Sequence, residues 1–432
     1  MAINSVFPLQ APRGTQDILP AEQKYWEYVI ETATAALRSW DFHRLDTPLF
    51  EETALFVQGV GEGTDIVAKE LFELKVRSGG AAYSLRPEGT ASLVRAYIEH
   101  GLRSWPKPVK LFYAGPYFRY DRPQAGRWRQ LHQVGFEIFG SAAPITDAEA
   151  MYIMHIILSQ LGLEDYHFLV NSLGAPADRS VYLKVLKEHY RRNRARLCRN
   201  CKERLKTNPL RVLDCQEEKC CQVANTAPRL LDHLSEEGKV HFERVLKMLE
   251  ELEVPHVVQA SLVRGIDYYN GAVWEVFAKG HESASQGALA SGGRYDGLVK
   301  RLGGRDIPAL GGAAGVERII DRIKAEGIEL TAVDQPRVFV AQLGEVAKLA
   351  ALKVMRMLQE AQIPFLESVD RDGMQQQLKL AQRLGATWVV IIGHKEVLDK
   401  TVILRNMVSG MQEVVPCDEL AQELTRRLVL AE

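Results

Sequence analysis

Cysteines and long apolar runs are scarce in this sequence, and each shortage excludes a class of protein. Six cysteines among 432 residues are too few for the disulfide framework of a small secreted protein. No apolar run approaches the ~18 residues that a bilayer-spanning helix needs, and the segment from Met1 to Pro20 lacks a charged stretch followed by an apolar one. We therefore expect a cytoplasmic protein that does not contact membranes.

The chain also has almost no net charge, and its overall composition is ordinary. A formal net charge of -1 gives no general affinity for polyanions, so contact with nucleic acid would require local basic patches. With 46% apolar and 25% charged residues, the chain has the composition of a globular protein. Its length is too great for one hydrophobic core and indicates roughly two to three domains.

Two common nucleotide-binding motifs are absent as well. The sequence contains no GxxxxGK[ST], and no GxGxxG lies between a strand and a helix. The glycines of "GVGEGTD", from Gly59 to Asp65, lack the required spacing, and we interpret this segment as a loop. P-loop and dinucleotide-binding sites of the usual kinds are therefore excluded.

The first part of the chain predicts an α+β domain over residues 1–325. Apolar residues recur at helical spacing from about Ala21 to Ser39, after a proline start. Two strand-like segments lie between Val109 and Phe139, joined by the polar loop "DRPQAGRW". Strand-like segments are too irregularly spaced for βαβ repeats, so we predict an antiparallel sheet flanked by helices. A helix from about Val316 to Lys324 closes the domain.

A helical insertion and a second domain complete the predicted organisation. Residues 173–254 are helix-forming and dense in charge, with eleven Lys or Arg against two Glu between Lys184 and Arg211. Strand-like sequence returns at Val257, which indicates an insertion into a continuing domain. After a linker over 326–336, strands alternate with helices over 337–432 and predict a small α/β domain with a largely parallel sheet. Because this domain has no glycine-rich phosphate loop or cluster of acids, we expect it to bind rather than catalyse.

Polar chemistry concentrates in "FRYDRPQAGRWRQLHQVGFE". The arginines of this segment are Arg119, Arg122, Arg127 and Arg129. On the returning strand, Gln133, Gly135 and Glu137 share one face, and we expect the glycine to leave open space between the two polar groups. An exposed sheet face is the simpler interpretation, but the apolar neighbours leave no clean polar face. A pocket for a small polar ligand, with guanidinium groups for phosphate or carboxylate, is favoured.

Two further segments fit such a pocket. In "ALGGAAGVERII", small residues precede Arg318, so a flat group could lie on the backbone beside a guanidinium. "VRGIDYYNG", from Val263 to Gly271, sets Arg264 and two tyrosines between two strand-like runs. Alone, this second segment is equally consistent with a hairpin corner whose tyrosines fill the core.

Together these segments resemble the motifs of class II aminoacyl-tRNA synthetases. "FHRLDTPLFEETALF" is similar to motif 1, which builds a dimer interface, "FRYDRPQAGRWRQLHQVGFE" to motif 2 and "GGAAGVERII" to motif 3. Within that class, "RPEGT", "VRGIDYYNG" and "SGGRYDGL" resemble the signatures of the histidyl-tRNA synthetase family. The resemblance extends over essentially the whole chain.

The resemblance implies roles for individual residues. Arg119 would hold the α-phosphate of ATP, Arg127 and Arg318 the β- and γ-phosphates, and Arg264 would act in catalysis between the histidine carboxylate and the α-phosphate. The histidine-binding residues it implies are Glu88, Gly89, Thr90, Gln133, Glu137, Tyr268, Tyr269 and Tyr295. Among them, acceptors on Glu88, Thr90 and Gln133 suit the α-ammonium group. Glu137 and Tyr269 would satisfy the two imidazole nitrogens.

The resemblance also implies a reaction and its partners. Histidine and ATP with Mg²⁺ would form histidyl-adenylate and pyrophosphate, and tRNA(His) would then accept the histidyl group. The final domain would bind the anticodon, the insertion would lie over the acceptor stem, and the protein would be a homodimer. One alternative is a non-charging regulatory subunit of histidine biosynthesis, which we would expect to lack the final domain and the "RGxDYY" residues. Another is a class II synthetase for a different amino acid.

Five of the six cysteines lie between Cys198 and Cys221. The CxxC at Cys198 and Cys201, followed by Cys215 and Cys220, has a spacing acceptable for a four-thiolate zinc site. The resembled family commonly retains this region without requiring a metal. We therefore regard a structural zinc as possible, and expect reduced structural cysteines instead.

Overall fold

A computed structural model of the chain describes residues 10–75, 79–121, 128–279, 287–330 and 338–429. The chain divides into two compact units, Met1–Leu330 and Thr331–Glu432, and the division lies inside the linker predicted over 326–336. Within the described ranges, no helix has both the length and the apolar character needed to cross a membrane.

The first unit is an α+β domain. Its helices are α1 (Pro20–Ser39), α2 (Thr53–Val60), α3 (Thr90–Glu99), α4 (Pro144–Gln160), α5 (Pro176–Arg192), α6 (Arg199–Thr207), α7 (Glu218–Ala224), α8 (Glu236–Glu251), α9 (Leu298–Arg301) and α10 (Val316–Ala325). Its strands are β1 (His43–Arg44), β2 (Phe50–Glu52), β3 (Glu73–Leu74), β4 (Tyr83–Leu85), β5 (Val109–Phe118), β6 (Gln130–Phe139), β7 (Tyr166–Ser172), β8 (His256–Val258), β9 (Asn270–Ala278), β10 (Ala288–Arg294) and β11 (Ala309–Gly315). The predicted helices α1 and α10 and the predicted strands β5 and β6 are confirmed.

Eight strands form the main sheet, in the order β1-β5-β6-β11-β10-β9-β7-β8. All inner pairs are antiparallel, and only the outermost pairs β1/β5 and β7/β8 are parallel. The predicted antiparallel sheet flanked by helices is confirmed. Strands β2, β4 and β3 form a separate three-stranded sheet.

The two faces of the main sheet carry different side chains. Helices α1, α4, α8 and α10 cover one face and share a core with Val134, Phe136 and Ile138 of β6. The alternate residues of β6, which include Glu137, therefore face the opposite side. On that side, α3, α9 and the segment before β9 form a second core with Tyr113.

The helical insertion is shorter than the sequence predicts. Helices α5 to α7 and the short 3-10 turns around them enclose their own core, which runs from Tyr182 to Leu234. Helix α8, by contrast, buries Phe242, Val245 and Leu249 in the main core, against α4. The predicted end of the insertion at residue 254 is therefore wrong, because α8 belongs to the main core. The sequence pattern did not show this, since the many charged residues on the outer face of α8 obscure its apolar stripe.

The second unit is a small α/β domain. Its elements are β12 (Val338–Gln342), α11 (Glu345–Glu360), β13 (Phe365–Glu367), α12 (Met374–Arg383), β14 (Trp388–Ile392), α13 (His394–Asp399), β15 (Thr401–Asn406), β16 (Gln412–Pro416) and α14 (Leu420–Val429). The strand order is β13-β12-β14-β15-β16. Only β13, β12 and β14 run parallel, so the largely parallel sheet that we predicted is a mixed one. The short connection from β15 to β16 is a hairpin, which produces an antiparallel pair.

Candidate active site

The segment "VRGIDYYNG" is a long connection rather than a hairpin corner. Strands β8 and β9 are not neighbours, because β7 lies between them. Asn171 of β7 fastens the connection, since its Nδ2 donates to the carbonyls of Ala260 and Leu262 at 3.2 and 2.9 Å. This anchoring delivers Arg264 and the two tyrosines to one end of the main sheet.

A cavity of about 1030 Å³ opens on the sheet face opposite α1 and α4, and it collects most of the site residues predicted from the sequence. Those on its lining are Glu88, Gly89, Thr90, Arg119, Gln133, Arg264, Tyr268, Tyr269 and Arg318. Glu137 and Tyr295 are buried beneath it, each with 1% of its surface exposed. Arg127 lies outside the described residues. The volume is that of a site for a sizeable small-molecule ligand.

Glu137 is the buried acid at the floor of the site. The Thr90 hydroxyl donates to its Oε1 at 2.7 Å, and the Tyr295 hydroxyl makes a short hydrogen bond to its Oε2. Burial raises the pKa of Glu137 to about 8, although the hydrogen bonds from Tyr295 and Thr90 oppose the shift. Near neutral pH this carboxyl group can therefore either accept or donate a proton.

The space beside Glu137 is filled by protein. A Cβ added at Gly135 would lie 2.4 Å from the Tyr113 hydroxyl, and one added at Gly311 would lie 1.8 Å from Glu137 Oε2. The expectation that Gly135 leaves open space for a ligand is therefore wrong. The sheet needs these glycines because the side chains of Tyr113 and Glu137 pack directly over its backbone.

Glu88 of "RPEGT" marks the start of α3. Its two carboxylate oxygens accept the backbone N–H groups of Thr90 and Ala91, both at 2.8 Å, and its charge lies at the positive end of the helix. The Tyr268 hydroxyl donates to Glu88 Oε2 at 3.3 Å. Burial is the main influence on the pKa of Glu88 and raises it. Glu88 therefore joins the start of α3 to Tyr268 in the segment "VRGIDYYNG".

Arg264 is held by Tyr269 and by two residues that the sequence analysis did not identify, Glu275 and Ser291. Its Nη1 makes a short salt bridge to Glu275, its Nη2 donates to the Ser291 hydroxyl at 3.0 Å, and its guanidinium lies 4.8 Å from the centre of the Tyr269 ring. Glu275 and Ser291 are paired directly across β9 and β10. Glu275 is the single acid within the apolar run "AVWEVFA", and this exception to the pattern could have identified it from the sequence.

Two more arginines lie on the cavity wall. Arg119 Nε donates to the carbonyl of Pro87 at 2.9 Å, and Arg318 Nη1 donates to the carbonyl of Ala288 at 2.7 Å. Next to Arg318, the Glu317 carboxylate accepts the backbone N–H of His132 at 2.9 Å. This hydrogen bond joins β6 to the start of α10, where Arg318 lies. Together with Arg264, the two arginines supply guanidinium groups suited to a polyphosphate, on a lining that also carries acids such as Glu275 and Glu317.

Comparisons with known proteins identify relatives of both units of the chain. A family model described as Histidyl-tRNA synthetase matches residues 14–319, and one described as Anticodon binding domain matches residues 337–427. A histidine-tRNA ligase from Dehalococcoides mccartyi is 42% identical over 419 residues, which are 97% of this chain and 100% of the relative. One from Geobacillus thermodenitrificans is also 42% identical, over 97% of this chain and 98% of the relative.

Solved structures give the same result. The apo S. aureus histidyl-tRNA synthetase superposes with a TM-score of 0.80 at 32% identity, covering 96% of this chain and 99% of that one. A Bacillus halodurans structure titled as an ATP phosphoribosyltransferase regulatory subunit/histidyl-tRNA synthetase has a TM-score of 0.65 at 19% identity, which is a likeness of fold alone. The match to one family model over most of the chain, with full-length relatives at 42% identity, decides the family. This chain belongs to the histidyl-tRNA synthetase family.

Proposed function

We propose that this protein ligates L-histidine to tRNA(His) through a histidyl-adenylate, releasing AMP and pyrophosphate. One observation carries the proposal: a cavity with arginines on its walls lies over a buried acid, Glu137, which accepts a hydrogen bond from Thr90 of the cavity lining. The acid suits an imidazole, which presents a donor and an acceptor in its neutral form and two donors when protonated. The arginines suit ATP, which enters as its Mg²⁺ complex.

In the first step, the carboxylate of histidine attacks the α-phosphorus of ATP and pyrophosphate leaves. Both reacting groups are anionic, so positioned positive charge is the main contribution that the protein can make. Arg264 would lie between them, already oriented by Glu275 and Ser291. Arg119 would hold the α-phosphate, and Arg318 with Arg127 the phosphates that leave.

Recognition of the amino acid rests on the floor of the cavity. Glu137 and Tyr269 would bind the imidazole nitrogens, while Tyr268 and Tyr295 line the same place. Glu88, Thr90 and Gln133 would accept hydrogen bonds from the α-ammonium group, and Gly89 lets this segment approach closely. The support is proximity: Thr90 and Tyr295 both donate to Glu137, and Tyr268 donates to Glu88.

In the second step, a ribose hydroxyl of the terminal adenosine of tRNA attacks the adenylate and AMP leaves. The second unit matches the anticodon-binding family model, and we assign anticodon binding to it. The basic insertion would contact the acceptor stem, with an affinity that falls as salt rises. We also propose a cytoplasmic homodimer: Phe50 and Leu49, in the segment similar to motif 1, are 52% and 46% exposed and suit a partner surface.

Two observations favour charging over a regulatory role. The complete second unit is present, and the "VRGIDYYNG" segment places its arginine and tyrosines on the cavity. Pyrophosphate exchange driven by histidine, threonine, proline and glycine separates the candidates. Exchange with histidine alone is expected, and its absence would contradict the proposal.

The variant Arg264→Ala tests the catalytic step directly. We expect ATP and histidine to bind with nearly unchanged affinity, while single-turnover adenylate formation falls at least ~10²-fold, because a preorganised charge is lost at the reacting centre. Quenched-flow measurement of adenylate, with equilibrium binding of each substrate, gives both quantities.

Arg305→Ala is the matched control, because it removes an exposed arginine that does not line the cavity. It is expected to behave as the wild type. A wild-type rate of adenylate formation in Arg264→Ala would refute the assigned role.

A further inference from the structure

Four cysteines of the insertion converge although they come from three separate segments. The Sγ atoms of Cys198, Cys201, Cys215 and Cys220 all lie within 4.8 Å of one another, and the last three of these residues are buried. We propose that they bind one structural zinc ion as a four-thiolate site. This assignment replaces the reduced structural cysteines that we expected from the sequence, and it is independent of the proposed function.

The spacing of the sulfur atoms fits zinc and excludes a disulfide in this arrangement. With Zn–S bonds of about 2.3 Å, the sulfurs of a tetrahedral site lie roughly 3.8 Å apart. Cys198 and Cys215 have an Sγ–Sγ distance of 3.9 Å. A disulfide would need about 2.05 Å, and all four cysteines are free thiols. Thiolate ligands without oxygen donors also favour zinc over magnesium or calcium.

Backbone amides are directed at these sulfurs. Cys198 is the N-cap of α6, and its Sγ accepts the backbone N–H of Cys201 at 3.4 Å. The backbone N–H of Cys198 in turn points at Cys220 Sγ, at 3.2 Å. Such donors stabilise the negative charge on metal-bound thiolates. The fifth cysteine, Cys221, differs, because its thiol donates to the carbonyl of Cys215 at 2.9 Å.

The insertion has a structural need for a metal. Its separate core runs only from Tyr182 to Leu234, and the four cysteines form part of that core. Modules of this size bury little apolar surface, and natural ones often add a disulfide, a metal or a partner surface for stability. Zinc would join the start of α6, the start of α7 and the chain between them, and it would thereby connect three segments of the module's core.

The metal would also hold one wall of the substrate cavity. Cys215 belongs to the segment 213–218, whose residues line the cavity opposite the sheet. Just before it, Arg211 Nη2 donates to Asp65 Oδ2 at 2.8 Å, which fastens the same segment to the loop before β3. Arg211 would therefore hold the segment 213–218 at its N-terminal end, and the zinc ion would hold it through Cys215 and Cys220.

Elemental analysis of the purified full-length protein tests the proposal. We expect about one zinc per chain after dialysis against a buffer without metal, and X-ray absorption is expected to give a shell of four sulfurs at about 2.3 Å. Less than about 0.2 zinc per chain, a shell with nitrogen or oxygen, or stoichiometric iron would each overturn the assignment.

Matched variants assign the ligands. Cys201→Ser and Cys220→Ser are each expected to lower zinc content at least ~5-fold and to increase cleavage of the insertion by protease. Cys221→Ser and Cys417→Ser remove thiols outside the group of four and are expected to keep the wild-type zinc content. Full zinc in both ligand variants, or equal loss in the two controls, would contradict the site. X-ray absorption of the wild type decides the question if a ligand variant does not fold.

Discussion

At the scale of single residues, Glu137 is a buried carboxyl group whose pKa is strongly raised by burial. It is enclosed by Thr90, Tyr113 and Tyr295, and only 1% of its surface is exposed. Its pKa is raised from 4.5 in an unfolded chain to about 8. The protonated form is therefore favoured by folding, and the stabilisation present below pH 4.5 is lost as pH rises through about 8.

Replacing this acid should reverse that loss. Glu137→Gln is expected to make the ligand-free protein more stable than the wild type above pH 8, by on the order of a few kcal/mol, because the amide never ionises. Below pH 5 the two proteins should be similar, since the amide can still accept from Thr90 and donate to Tyr295. Chemical denaturation across pH 5 to 9 measures the difference.

Histidine-dependent exchange should fall in the same variant, since the amide carries no negative charge to pair with a protonated imidazole. Glu329→Gln, at an exposed position, is the control and should follow the wild type at every pH. Parallel stability curves for wild type and Glu137→Gln would show that the carboxyl is not perturbed.

At the scale of elements, a buried ionic network joins α4, β10 and α8. Arg294 donates to both carboxylate oxygens of Asp147, at 3.0 and 2.5 Å, and His241 Nε2 lies 2.9 Å from Asp147 Oδ2. Arg294 also donates to Asp296, which accepts the backbone N–H of Ala309 at 3.0 Å. In "SGGRYDGL" the arginine and aspartate are thus structural, while Tyr295 between them faces Glu137.

Removing Asp147 should leave the buried Arg294 without its bidentate partner and with Asp296 as its remaining carboxylate in this network. Asp147→Ala is expected to lower the free energy of unfolding by about 3–5 kcal/mol, because Arg294 and Asp147 have side chains only 4% and 2% exposed. The double variant Asp147→Leu with Arg294→Met should lose less than the two single losses added together. Denaturant titration of the wild type, the single variants Asp147→Leu and Arg294→Met, and the double variant gives the coupling.

A suitable control is the exposed pair Asp165 and Lys279, with side chains 66% and 61% exposed and a similar separation of 2.9 Å. Asp165→Ala should change stability little. Equal effects from the buried and exposed pairs would show that burial does not set the cost.

At the scale of the whole molecule, each unit has its own hydrophobic core. A chain ending at Leu330 is therefore expected to fold and to retain histidine-dependent pyrophosphate exchange. Charging of tRNA at limiting tRNA should fall at least ~10²-fold, because the second binding module is lost. Exchange and charging assays on the two lengths of chain check this, and unimpaired charging by the short form would contradict the role assigned to the second unit.

The sequence predicted most of what local patterns determine. Alternation on β6 correctly placed Gln133 and Glu137 on one face, and the apolar periodicity of α1 was sufficient to locate that helix. Prediction failed where a distant residue decides the outcome. Nothing near Gly135 indicates that Tyr113 fills its space, and the order of strands that separates β8 from β9 is a property of the whole sheet.

The close packing of Tyr113 and Glu137 over glycine also limits how this protein can change. A single added methyl group at Gly135 or Gly311 would collide with the group that gives the floor its polarity. Mutation of these two glycines is therefore an unfavourable route to a change of substrate amino acid. Most single-nucleotide changes in a glycine codon that alter the residue introduce a side chain there. Under the proposed histidine-binding role, a new specificity would begin in the connection before β9, whose Tyr268 and Tyr269 approach the floor from outside the sheet.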